Sequence, residues 1–127
     1  EDEIKLRQKN ADFYTYYLNM NGINTTPIIR KHNTSVFAQY TIQVSNRAHV
    51  QKYLKDNNVP SSVHYPLPLN NQPAFKNKCQ ENHSEISISN SASKKVLSIP
   101  MHPWLTQNQK EKVIRCLTEA FHKTDIS

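Results

Sequence analysis

Apolar residues recur first at Ile4, Ala11, Tyr14 and Leu18, steps that align on one face of a helix. The pattern predicts a helix over residues 1–20. Gly22 lies just past its last periodic residue, at the C′ position where a positive φ carries no Cβ penalty. No capping residue precedes Glu1, so this helix reads as if cut from a longer one. The period then changes to two. Val36, Ala38, Tyr40, Ile42 and Val44 alternate with Ser35, Phe37, Gln39, Thr41 and Gln43, predicting a half-buried strand over residues 35–44. Phe37 interrupts the polar side of that strand.

Ser45 and Asn46 are suited to N-capping a helix over Arg47 to Asn57, with Val50, Tyr53 and Leu54 as its core stripe. Val59-Pro60 closes it and leads into a second strand, Ser61 to Tyr65. In a regular pleat Val63 and Tyr65 share one face of that strand, and Ser62 and His64 the other. Such a strand, helix, strand unit fits either a parallel pair or a return into a small mixed sheet. Residues 76–90 are polar and aperiodic. The pattern turns helical over Ser91 to Lys95 and strand-like over Val96 to Pro100. Thr106 with Gln109 forms a T-x-x-Q capping box for a last helix, whose stripe is Val113, Ile114, Leu117, Ala120 and Phe121. The sum is one α+β domain over residues 1–127: a small, mostly antiparallel sheet of about three strands with helices packed on it.

The one stretch that fits neither period is Ser62 to Phe75. Tyr65, Leu67 and Gln72 each precede a proline, which biases them to extended backbone and excludes a helix. On spacing alone it is either a rigid loop holding His64 and Tyr65 toward a ligand or a tight connection with a tyrosine half in the core.

Composition removes several classes of function. Gly22 is the single glycine, where a chain of this length holds about nine on average. Phosphate loops and dinucleotide fingerprints need glycines at fixed offsets and are excluded. Net charge is +6, but the lysines and arginines are scattered and no run reaches a basic tail. A solvated surface, without nucleic acid, is the simpler reading. A stand-alone basic module binding nucleic acid or an anionic ligand through Tyr40, Tyr65 and these lysines is the competing one. Cys79-x-x-x-His83 has a spacing usable for zinc, but no second ligand pair matches it, so no metal is expected. The two cysteines form no disulfide framework, in keeping with a reducing, cytoplasmic setting. No run approaches the roughly 20 apolar residues of a membrane span.

Longer motifs converge on a family. His64-Tyr65-Pro66-Leu67-Pro68-Leu69, followed by Gln72-Pro73-Ala74-Phe75, resembles the HYPxPL…QPA segment of the DegT/DnrJ/StrS aminotransferases. Val96-Leu97-Ser98-Ile99-Pro100-Met101-His102-Pro103 is similar to their VLSLPMHP segment. Ser35 to Thr41 resembles the SVxAQYT strand of the WbpE-like branch, and Arg7-x-x-x-Ala11-x-x-Tyr14 the helix that opens the family's small domain. The resemblance implies the C-terminal small domain of a pyridoxal-phosphate enzyme. Such an enzyme moves an amino group, usually from glutamate, to a keto group of a UDP-linked sugar in polysaccharide or lipopolysaccharide biosynthesis. It further implies that the Schiff-base lysine and the cofactor belong to an absent large domain, so that this chain alone is inactive and has no catalytic residue. It makes His64 and Tyr65 substrate contacts, and the large domain and a homodimer partner its neighbours. An apolar docking patch follows, with the first helix and Phe37 as candidates.

Overall fold

The computed structural model describes residues 1–75 and 83–124. Helix α1 spans Asp2–Met20, strand β1 Tyr40–Gln43 and helix α2 Arg47–Asp56; a 3-10 turn at Leu69–Asn71 precedes helix α3, His83–Lys95, strand β2, Val96–Ile99, and helix α4, Gln107–Thr124. The α+β architecture with a small antiparallel sheet is the one the sequence predicts.

β1 and β2 pair antiparallel, with Tyr40 opposite Ile99 and Gln43 opposite Val96. On the other edge of β2 the third strand is reduced to one antiparallel bridge, Ser62 with Ser98. β1 and the Ser62 segment therefore run parallel on either side of β2, with α2 as the crossover between them. This settles the choice that the strand, helix, strand pattern left open.

The predicted strand over 35–44 shortens to four residues because β2 offers only four partners. Upstream of Tyr40 the pleat breaks at Phe37, whose φ is +43° and whose N–H is taken by Ser35 Oγ at 3.1 Å. Val36 is thereby 51% exposed, while Phe37 turns onto the core and stacks near Tyr40 at 6.1 Å between ring centroids. Phe37 is thus a packing residue and no part of an exposed patch.

The core lies between the sheet and the helices. Tyr14, Leu18, Tyr40, Ile42, Leu54, Leu97 and Leu117 are wholly buried, and Ala11, Val50, Val113, Cys116 and Ala120 complete it. Ile4, expected on the same stripe, is 38% exposed: α1 extends beyond what it packs on, and its buried face begins at Asn10. α1 also exposes Tyr16, Tyr17 and Met20, so it does carry apolar surface. The Thr106–Gln109 capping box forms in both directions, at 2.9 and 3.3 Å.

Two helices end in the same way. At α1, Gly22 has φ +80°, its N–H donates to Asn19 O, and the N–H of buried Ile23 donates to Leu18 O at 2.9 Å. At α2, Asn58 takes the glycine's role with φ +55°, its N–H donating to Lys55 O, and buried Val59 donates to Leu54 O at 2.8 Å. Both are Schellman closures with the accompanying apolar contact. The second was invisible as a motif because asparagine stands where glycine is the usual signal.

α3 is the main departure. A polar loop was expected up to Asn90, yet the helix begins at His83. Its sequence, rich in serine, shows no apolar stripe; among its described side chains, Ser93 is buried and Ala92 half-buried. Cys79 lies outside the described residues.

Two outcomes follow for stability. Asn58→Gly should leave stability unchanged or raise it by up to about 1 kcal/mol, whereas Asn58→Val should cost about 1–2 kcal/mol through the β-branched penalty at positive φ. Urea unfolding followed by circular dichroism checks both. Burial, and to a lesser degree the negative charge of Asp12, raises the Tyr40 phenol to about 12, against the lowering effect of its bond with Thr15. A raised folded pKa favours the protonated, folded form. Stability should therefore hold below pH 10 and fall as pH rises from 10 to 12. Burial also raises the Tyr14 phenol, which adds to the same decline, so Tyr40→Phe should lessen it without abolishing it.

Candidate functional site

The chain reaches the His64–Tyr65 pair by way of β2. Ser62 N–H donates to Ser98 O at 3.0 Å and Ser98 N–H returns to Ser62 O at 2.8 Å. The Ser98 hydroxyl bonds Thr41 Oγ1 at 2.8 Å across the sheet. Beyond Ser62 there is no further ladder, so the alternation expected for a longer strand is lost. Val63 stays against the core, while Tyr65, expected on the same face, is 69% exposed. Tyr65 is thus no core residue, and the reading of this stretch as a connection with a half-buried tyrosine fails.

His64 and Tyr65 are brought together edge to face, 5.5 Å between ring centroids, across a cis peptide bond. The imidazole is half-buried, and its Nδ1 is enclosed without a hydrogen-bond partner. Nε2 is then the ring nitrogen outside that enclosure. His64 stands between two grooves. One, of about 190 Å³, is lined by Gln39, Ser61, Ser62, Ser98 and Met101 among others. The other, of about 230 Å³, lies between Tyr65 and the Leu67-Pro68-Leu69 segment on one side and Ser89, Ala92, Ser93 and Val96 on the other. Among the described residues, no lysine, arginine or carboxylate lines either groove. Phenol, imidazole, hydroxyl and aliphatic groups are suited to hydrogen-bond and pack against the oxygens and ring of a hydroxylated ligand.

The loop after Tyr65 is stiff for local reasons. Pro68 is extended, the turn at Leu69–Asn71 closes with Asn71 N–H on Pro68 O at 3.0 Å, and Asn71 Nδ2 donates to Asn90 Oδ1 of α3 at 2.8 Å. α3, which supplies the wall opposite Tyr65, was legible in the sequence only over Ser91 to Lys95. The Met101–Trp104 turn on the far side of β2 is fixed by α1. There Tyr14 donates to Pro100 O at 3.0 Å and Asn10 to His102 O at 2.9 Å. Arg7 enters neither groove.

An α+β domain that presents a phenol and an imidazole on a proline-stiffened loop is the class defined by this fold and site. The chain belongs to the DegT/DnrJ/EryC1/StrS aminotransferase family, whose sequence profile matches residues 1–118. It is 42% identical, over 93% of its length, to the UDP-2-acetamido-2-deoxy-3-oxo-D-glucuronate aminotransferase of Pseudomonas aeruginosa, and covers 32% of that protein. It superposes on a DegT/DnrJ/EryC1/StrS aminotransferase from Brucella abortus with a TM-score of 0.87 at 31% identity, over 96% of this chain and 32% of the other. The fold is shared, at 22% identity and a TM-score of 0.71, with the ntda protein of Bacillus subtilis, solved with bound cofactor PMP; 94% of this chain and 28% of that one align. The chain spans about a third of the length of the curated relatives it matches. No helix among the described residues is long and apolar enough to cross a membrane.

Two tyrosines should separate packing from exposure. Tyr65→Ala should change unfolding free energy by no more than about 0.5 kcal/mol. Tyr14→Phe, which strands the Pro100 carbonyl, should cost about 1–3 kcal/mol. A loss above about 1.5 kcal/mol for Tyr65→Ala in urea titrations would make Tyr65 a structural residue.

Proposed function

We propose that this chain is the C-terminal small domain of a pyridoxal-phosphate aminotransferase that moves an amino group, from glutamate, to the keto group of a UDP-linked 3-keto sugar. The observation that carries the reading is the 42% identity to the Pseudomonas enzyme across nearly the whole chain, with a coverage of only a third of that enzyme. The grooves beside His64 do not fit the cofactor. Among the described residues they hold no lysine for a Schiff base and no cation for a phosphate. The cofactor and the proton-transfer chemistry it supplies belong to the remaining two-thirds of the polypeptide.

His64 and Tyr65 are substrate-contacting residues. The Tyr65 hydroxyl and His64 Nε2 hydrogen-bond sugar oxygens, and the grooves, whose described lining is uncharged, take the sugar and its substituents rather than the diphosphate. Each contact contributes on the order of 1 kcal/mol net. The apolar surface of α1 is covered by the large domain, and the whole enzyme is a cytoplasmic homodimer serving surface-polysaccharide synthesis.

Two measurements test this. Incubation of the chain with pyridoxal phosphate, borohydride reduction and mass spectrometry should show no stoichiometrically modified lysine; one such lysine would place the active site within this chain. In the full-length protein, Tyr65→Phe should raise KM for UDP-2-acetamido-2-deoxy-3-oxo-glucuronate by about three- to tenfold. Unchanged kinetics would remove Tyr65 from the site.

A further inference from the structure

Arg47 stands first in α2, where a cation opposes the helix dipole and no acidic residue accompanies it. Its side chain leaves its own helix. Nη1 donates to Ser93 O of α3 at 2.5 Å and to Val96 O of β2 at 3.3 Å. The need for it lies in the junction it spans. α3 ends at Lys95 and β2 begins at Val96 with no residue between. A Schellman closure like those of α1 and α2 therefore has no position to occupy, and the last carbonyls of α3 must be answered from elsewhere. Val44 N–H takes Lys95 O at 2.9 Å, and Arg47 takes Ser93 O. The residues whose carbonyls Arg47 holds, Ser93 and Val96, both line the groove that faces Tyr65.

We propose that Arg47 is a positioning residue for substrate: from behind the groove it fixes the α3 wall opposite Tyr65 and so sets how closely the sugar fits. This rests on the reading of His64 and Tyr65 as substrate contacts. Arg47 touches no substrate itself. It acts through two backbone carbonyls, so its removal loosens the wall without altering the groups that meet the ligand. Because the groove binds the sugar alike before and during reaction, the effect falls on KM and spares kcat.

The test is steady-state kinetics of the full-length enzyme with UDP-2-acetamido-2-deoxy-3-oxo-glucuronate, joined to amide hydrogen exchange, on R47M, R47K and Y65F. R47M should raise KM about tenfold with kcat within twofold, and speed exchange at Ala92 to Val96 at least tenfold. R47K, which restores the charge and a donor, should bring KM back to within about threefold of the parent. Should R47M fail to fold, R47Q is read in its place, with a KM rise of at least fivefold expected. Wild-type KM in R47M or R47Q, whatever the change in melting temperature, overturns the inference. If Y65F raises KM while Arg47 variants do not, only this inference falls; if neither does, the site reading falls with it.

Discussion

Everything at the His64–Tyr65 end of the molecule hangs from the backbone of Ser98. Its N–H and carbonyl are both committed to Ser62 on one edge of β2, while its hydroxyl reaches Thr41 on the other. That single bridge holds the approach to His64, and nothing beyond it is paired in a ladder. The arrangement meets two demands that conflict in a longer strand. The chain is anchored firmly at Ser62, and three residues later a tyrosine stands in solvent. A continued strand would have carried Tyr65 alongside Val63 into the core.

Helix α1 supplies the second constraint. It is amphipathic only along part of its length, and it is tied to the sheet as much by polar reach as by burial. Asn10, Tyr14 and Thr15 bond the His102 carbonyl, the Pro100 carbonyl and the Tyr40 hydroxyl. Bonds from side chains to carbonyls in a proline-bounded turn matter because a partly buried acceptor left empty costs more than the bond returns. The turn after β2, which bounds the smaller groove at Met101, therefore depends on a helix nearly ninety residues earlier.

Periodicity made α1, α2 and α4 legible, since their stripes are built from large side chains whose absence from water dominates the energetics. It also located β2 and the capping box. It overestimated β1, because alternation records which residues face the core and says nothing of how many partners a neighbouring strand offers. It missed most of α3, where the described residues turned inward are Ser93 and Ala92. At the site, His64 and Tyr65 were legible through motif resemblance and through prolines that forbid a helix. The opposite wall was not, because Ser89, Ala92 and Ser93 carry no chemical signature and gain their role from position alone.

The direct passage from α3 into β2 also bears on how such a chain can change length. One extra residue on the helical side would rotate α3 by about 100° relative to the sheet. One extra residue on the strand side would turn Leu97 and Ile99 outward and Ser98 inward. Neither shift can be absorbed by a loop, because the junction contains none. The junction thus acts as a ruler, fixing the phase between helix and sheet.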